Sequence, residues 1–472
     1  MTFETSNLIP VLPEIFILAL ASTILVVDLY LKESRKGVNH ALTLIGLLVA
    51  IGITAAVGGT GRQVVLDGSY IRDGMSDLLK VTIFIVAIFA FVYAKDFLRD
   101  RGMLSGEYYV LGLFSVLGML IMVSANSFLT VYLGLELLAL CLYALVAFDR
   151  DSRGGAEAAM KYFVLGAIGS GMLLYGISMI YGATGSLELG TVARMVAEHG
   201  MENRVLVFGL AFLVVGIGFK FGAVPFHMWV PDVYEGAPLP VVLFLGSAPK
   251  IAAFGVAMRL LVDGLGGLQV HWQGMLILLS VLSMTLGNLA AIAQSNIKRM
   301  LAYSTVFLGV LAGTPQGYAS AMFYTIVYAL MAAGAFGVLV LLSRRGFEPE
   351  RLDDLKGLNE RDSWHAAMMA LLMFSMAGVP PTVGFMAKLL VLEAVVRVDL
   401  TWLAIVAVVF SIVGAFYYLR VVKLIYFDKA ETDVPLMAGT GTRLAVSLNG
   451  LLMLALGLFP ASLLSFCQTA FA

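Results

Sequence analysis

Five charged side chains fall where a chain this apolar should carry none. Glu136 lies in Tyr-Leu-Gly-Leu-Glu-Leu-Leu-Ala-Leu, Lys220 in Gly-Ile-Gly-Phe-Lys-Phe-Gly, Lys250 in Gly-Ser-Ala-Pro-Lys-Ile-Ala-Ala, and Lys388 in Gly-Phe-Met-Ala-Lys-Leu-Leu-Val. Lys161 is the fifth, near the start of an apolar run, with Glu157 four residues before it on the same helical face. An ionised group near a bilayer centre costs about 2.5 to 3.5 kcal/mol on insertion scales, so several in one chain imply a use for charge. The chemistry that suits them is proton transfer. Desolvation disfavours an ammonium and a nearby carboxylate restores it, so moving a carboxylate could load or unload a lysine. A structural ion pair, or snorkelling to an interface, is the competing reading for each group. Snorkelling is the expectation for Lys80 and Asp28, which lie near span edges.

The elements that must position these groups are membrane helices. Hydrophobic residues make up 60% of the 472 residues and charged residues 13%, a mixture that no single water-soluble core could hide. The formal net charge of -1 gives no reason to expect a nucleic-acid partner. The two cysteines, Cys141 and Cys467, stand far apart without ligand spacing, so neither a redox centre nor a metal site is expected in this chain. The expected fold class is an all-α integral membrane protein. Roughly fourteen spans of helical crossing length lie near 8–31, 39–58, 76–96, 107–124, 126–148, 158–182, 204–225, 238–262, 272–294, 299–314, 317–343, 364–395, 401–426 and 444–467. Cations cluster on alternate loops, as in Lys32, Arg35 and Lys36, then Lys95, Arg99 and Arg101, then Arg150 and Arg153, and later Arg344, Arg345 and Arg351. By the positive-inside rule those loops face the cytoplasm and both termini face the periplasm.

Two spans carry helix breakers beside a lysine. In the seventh, Lys220 comes first and Pro225 and Pro231 follow; in the twelfth, Gly378, Pro380 and Pro381 come first and Lys388 follows. Interrupted helices at membrane depth are tolerated where protein or water satisfies the freed backbone, and paired interruptions point to inverted repeats. The chain is expected to be one membrane domain comprising three N-terminal helices (1–106), two inverted five-helix repeats (107–262 and 272–426) and a C-terminal helix (444–467). His227, just after the first break, could pass protons between the cytoplasm and Lys250, and a capping role fits it equally well.

These residues resemble the antiporter-like subunits of bacterial NADH-quinone oxidoreductase (respiratory complex I), and the stretch from Gly218 to Pro238, with Pro225-Phe-His-Met-Trp-Val-Pro-Asp-Val-Tyr-Glu-Gly-Ala-Pro, resembles the N-type sequences in particular. The likeness extends to Gly106-Glu-Tyr-Tyr, Glu157-Ala-Ala-Met-Lys-Tyr, Asn296-Ile-Lys-Arg-Met-Leu-Ala-Tyr-Ser and Ala377-Gly-Val-Pro-Pro-Thr-Val-Gly-Phe. It implies that Glu136 and Lys220 form the glutamate-lysine pair of a first half-channel, that Lys250 connects, that Lys388 ends an outward half-channel, and that Lys161 modulates the pair. It implies a translocase subunit in the bacterial inner membrane, with M-, K-, J-, A- and H-type subunits as partners. FMN, iron-sulfur clusters and quinone would be held by partner subunits and none by this chain. The alternative is a subunit of a multisubunit sodium/proton antiporter. One departure stands out: where the family commonly has a histidine after Tyr-Ser-Ser, this chain has Tyr303-Ser-Thr-Val-Phe307, so ordered water with Tyr303, Ser304 or Thr305 would have to bridge Lys250 to Lys388.

Overall fold

The computed structural model describes residues 5–59, 61–199, 203–302, 308–430 and 439–471. Helices form because the apolar runs must satisfy their own backbone in lipid, and their ends fall where polar residues can cap them. In order they are α1 (Leu12–Tyr30), α2 (Gly37–Val57), α3 (Gly74–Asp100), α4 (Gly106–Val123), α5 (Phe128–Val146), α6 (Arg153–Thr184) and α7 (Leu189–His199). Then come α8 (Arg204–Phe221), α9 (Trp229–Gly236), α10 (Leu239–Gly246), α11 (Ala248–Ala257), α12 (Gln269–Ala293), α13 (Ile297–Ala302) and α14 (Leu308–Leu311). The last are α15 (Pro315–Leu342), α16 (Leu358–Arg361), α17 (Ser363–Ala377), α18 (Val383–Arg397), α19 (Thr401–Tyr426), α20 (Thr440–Leu458) and α21 (Ala461–Thr469). A short antiparallel hairpin, β1 (Gln63–Val65) and β2 (Tyr70–Arg72), precedes α3 and pairs Val64 with Ile71.

Twelve helical segments among the described residues are long and apolar enough to cross a membrane. One expected span is divided instead. The twelfth is cut into α17 and α18, because Gly378 adopts φ +82° and Pro380 and Pro381 cannot continue a helix. The tenth comprises α13 and α14, with Tyr303, Ser304, Thr305 and Phe307 between them outside the described residues. The eighth span carries a break that its sequence pattern did not announce, at Ser247 between α10 and α11, and then a π-helix from Met258 to Gly264.

The core of the molecule is two central crossings. Leu239–Gly264 is buried over 94% of its apolar window and α15 over all of it, whereas α2, α12 and α19 are buried over only 33% and leave their outer faces for lipid or partners. Helix pairs approach closely at small residues: a Cβ on Gly118 would stand 2.7 Å from the Gly134 carbonyl, and one on Gly176 the same distance from that of Gly209. These contacts fix α5 against α4 and α6 against α8, which sets the depth of Glu136 and Lys220.

Candidate functional site

Helix α8 begins where Asn203 accepts from the amides of Val205 and Leu206, and ends at Gly222, whose φ of +71° suits a residue without a Cβ. The chain then turns through a cis Val224–Pro225 peptide into α9. Such a break frees backbone groups inside the protein, and side chains satisfy them. Lys250 Nζ donates to the carbonyl of Phe221 at 2.7 Å and to that of Lys220 at 3.4 Å. Trp229 Nε1 donates to the Phe219 carbonyl at 3.0 Å, and the amide of Val224 donates to Ser283 Oγ at 3.0 Å. A cation at a helix C-terminus also meets the negative end of the peptide dipoles. The Trp229 ring stacks on Tyr162 with centroids 4.7 Å apart and lies 5.7 Å from Lys250 Nζ, closing an aromatic wall around the break.

Lys220 stands on the last turn of α8 with its amine 5.8 Å from the Phe219 ring. Glu136 faces it from α5, and Glu136 Oε1 is buried without a hydrogen-bond partner. Among the described residues no ion pair within 4.0 Å joins the two. The break places His227 in the turn between α8 and α9, where its carbonyl accepts from the Val230 amide at 2.9 Å. Lys161 bridges both Glu157 and Asp232 at 2.9 Å, and its side chain is 44% exposed. This lysine is therefore at the chain's surface and not within its core.

The second break repeats the first with one lysine fewer. Helix α17 starts where Asp362 accepts from the His365 amide, and ends at Gly378. A cis Pro380–Pro381 peptide follows, and then α18. Lys388 Nζ reaches back to the Ala377 carbonyl at 2.9 Å, while the Gly384 amide donates to Ser375 Oγ at 3.1 Å. Beside Lys388 a cavity of about 120 Å³ runs between α12, α15 and α19, lined by Ser280, Ser283, Asn288, Tyr324 and Tyr417 among others. Ser283 also holds the Val224 amide, so one serine touches the first break and the second cavity. The expected bridge through Tyr303, Ser304 or Thr305 lies outside the described residues.

Two buried clusters escaped the sequence reading. Lys80, expected to snorkel, is 1% exposed and bridges Glu14 Oε1 at 2.8 Å and the Tyr70 hydroxyl at 2.7 Å. Arg259, on the π-helix, holds Asp73 and Asp263 at 2.7 and 2.8 Å. In each, one carboxylate comes from a segment remote in sequence, Glu14 for Lys80 and Asp73 for Arg259, and a second partner lies nearby.

Two interrupted helices, each with a lysine amine seated on its freed carbonyls inside a many-span bundle, define an antiporter-like membrane protein. Residues 125–414 match the family described as NADH:quinone oxidoreductase/Mrp antiporter, transmembrane. The chain is 57% identical to NADH-quinone oxidoreductase subunit N of Thioalkalivibrio sulfidiphilus, over all of this chain and 99% of that one, and 55% identical to the subunit N of Alkalilimnicola ehrlichii, with the same coverage. A chain in the structure of respiratory complex I from Thermus thermophilus with bound aureothin superposes with a TM-score of 0.83 at 32% identity, covering 96% of this chain and 98% of that one. A chain of the Mrp complex from Dietzia sp. shares the fold at TM-score 0.85 and 20% identity, covering 100% and 97%. The chain belongs to this NADH:quinone oxidoreductase/Mrp antiporter family, and within it to the subunit N branch of NADH-quinone oxidoreductase.

Proposed function

We propose that Glu136, Lys220, Lys250 and Lys388 are the proton-carrying groups of a membrane-arm subunit of NADH-quinone oxidoreductase, with Lys161, Glu157 and His227 in secondary roles. The observation that carries this reading is the seating of Lys250 and Lys388 on the freed carbonyls of broken helices. An ammonium donates three hydrogen bonds and favours the negative end of a helix; a neutral amine holds those carbonyls less strongly. Loading or unloading a proton at such a lysine therefore changes how firmly the break is closed. Glu136, fixed by the contact of α5 with α4, supplies the charge that biases Lys220.

Electron chemistry belongs to partner subunits, which would hold FMN, iron-sulfur clusters and quinone. The membrane-arm partners would be M-, K-, J-, A- and H-type subunits. The chain would sit in the bacterial inner membrane with both termini periplasmic, as its loop cations suggest. The division into three N-terminal helices, two inverted five-helix repeats and a final helix agrees with the placement of the two breaks.

The test is proton pumping together with NADH-quinone electron transfer in vesicles carrying Lys220→Ala or Glu136→Gln, at matched amounts of assembled complex. A loss of tenfold or more in both activities for Lys220→Ala, on the order of 1.4 kcal/mol of barrier or greater, is expected. Undiminished pumping would reject the assignment. Turnover that depends on sodium would favour cation/proton exchange instead.

A further inference from the structure

Short helix α9 makes contacts of two kinds. At its first residue Trp229 holds the carbonyl of Phe219, next to Lys220, and lies beside Lys250. One turn on, Asp232 divides its carboxylate. Oδ2 accepts from Lys161 Nζ of α6 at 2.9 Å, and Oδ1 from Arg299 Nη2 of α13 at 2.8 Å. α13 follows closely on α12, whose Ser280, Ser283 and Asn288 line the Lys388 cavity. One carboxylate thus ties the helix behind the first break to an element that leads to the second site.

Each cation on Asp232 has a second carboxylate in hand. Lys161 also bridges Glu157 at 2.9 Å, and Arg299 Nη2 also reaches Glu235 Oε2 at 2.6 Å. Asp232 can therefore leave either partner without stranding a charge. The side chains involved are 31% to 68% exposed, so water softens the exchange further. Asp232 holds both cations at once, and a residue able to favour either of two partners is what transmission between sites requires.

We propose that Asp232 is a positioning residue that links proton loading at Lys220 and Lys250 to the Lys388 cavity, shifting its hold between Lys161 and Arg299 as α9 moves. This rests on the proton-carrying roles assigned above. It is tested in vesicles bearing the complete oxidoreductase with Asp232→Asn, Asp232→Glu, Arg299→Gln, or Asp232→Asn and Arg299→Gln together. Electron transfer, pumping and the amount of assembled complex are read for each. The expected result is a loss of threefold or more per assembled complex for Asp232→Asn and for Arg299→Gln. Asp232→Glu should recover at least half of the activity, and the double variant should be no worse than the poorer single. Should Asp232→Asn fail to assemble, Arg299→Gln and Asp232→Glu carry the comparison. Normal turnover and pumping in Asp232→Asn would overturn the proposal, as would failure of Asp232→Glu to recover activity, or single losses that multiply in the double variant. Lys220→Ala separates the two readings: if it is silent, the proton-carrying roles fall, and if it is inactive while Asp232→Asn is normal, only the Asp232 link falls.

Discussion

At the first break the carbonyls of Lys220 and Phe221 are held by a lysine from another helix, whereas at the second the carbonyl of Ala377 is held by Lys388 from the half-helix that follows. Their surroundings differ more. Lys220 borders a cavity of about 10 Å³ lined by Met122, Leu135, Leu173, Ile217 and other apolar groups, and Lys250 lies behind Trp229. Lys388 opens on about 120 Å³ with serine, asparagine and tyrosine in its walls. A space of about 10 to 15 Å³ is the minimum for one water, which also needs polar partners. The second site can thus hold a chain of waters, and the first cannot without opening. Two similar backbone interruptions yield one enclosed lysine and one that opens on a cavity, so enclosure and not the break itself decides which amine water can reach.

The largest effect should come from removing the capping amines. Lys250→Met removes the hydrogen bond that the amine gives the Phe221 carbonyl at a buried position behind Trp229, a penalty of about 1 to 3 kcal/mol. Lys388→Met leaves the Ala377 carbonyl near a cavity from which water can replace the amine. Both should cut turnover by tenfold or more, while thermal denaturation of the purified complex should show the greater drop for Lys250→Met. Equal drops would break the contrast between the enclosed site and the open one.

A smaller separation is expected at the glycines that end the two helices. Alanine in the left-handed region costs roughly 1 to 2 kcal/mol at either. At Gly222 the new Cβ would stand 2.7 Å from Val230 Cγ2 in the packed wall, and at Gly378 it would stand 2.9 Å from Lys388 Cδ. The valine is held and the lysine stem can swing. Gly222→Ala should therefore lose more stability, and Gly378→Ala should lose activity out of proportion to stability, because it displaces the amine. Denaturation midpoints set beside pumping rates check this, and parallel losses in both variants would contradict it.

The sequence made Glu136, Lys220, Lys250 and Lys388 visible because a charge in a long apolar run has no ordinary reason to be there, and Gly and Pro marked the two breaks. Contacts that depend on approach between distant segments left no such trace. Nothing in the local pattern tells that Lys250 caps α8, that Lys80 meets Glu14, or that Glu136 Oε1 is buried without a hydrogen-bond partner. The break at Ser247 was hidden for a related reason: Pro249 lies in the first turn of α11, where a proline fits a helix start as readily as it marks an interruption. The cavity beside Lys388 arises from six helices and is not a property of any one of them.

The caps at the outer ends of the two broken helices extend the comparison to pH. Asn203 begins α8 with a neutral amide, its Oδ1 accepting from Val205 N at 3.0 Å, whereas Asp362 begins α17 with a carboxylate. Burial by itself would raise the Asp362 carboxyl, but the amide and imidazole of His365 and the nearby Arg443 outweigh it and hold it below the usual carboxylate range. A carboxyl depressed in the folded state binds fewer protons there than in the unfolded chain. Its contribution is complete above the unfolded value of about 3.9 and is lost as pH falls through the folded one. Hydrogen exchange at the first-turn amides of α17 should quicken below about pH 4, relative to intrinsic rates, while those of α8 hold steady. Asp362→Asn should cost no more than about 1 kcal/mol at neutral pH and abolish the acid response. An acid response that survives in Asp362→Asn, or one that appears equally in α8, would show that the two caps do not differ in the way their chemistry requires.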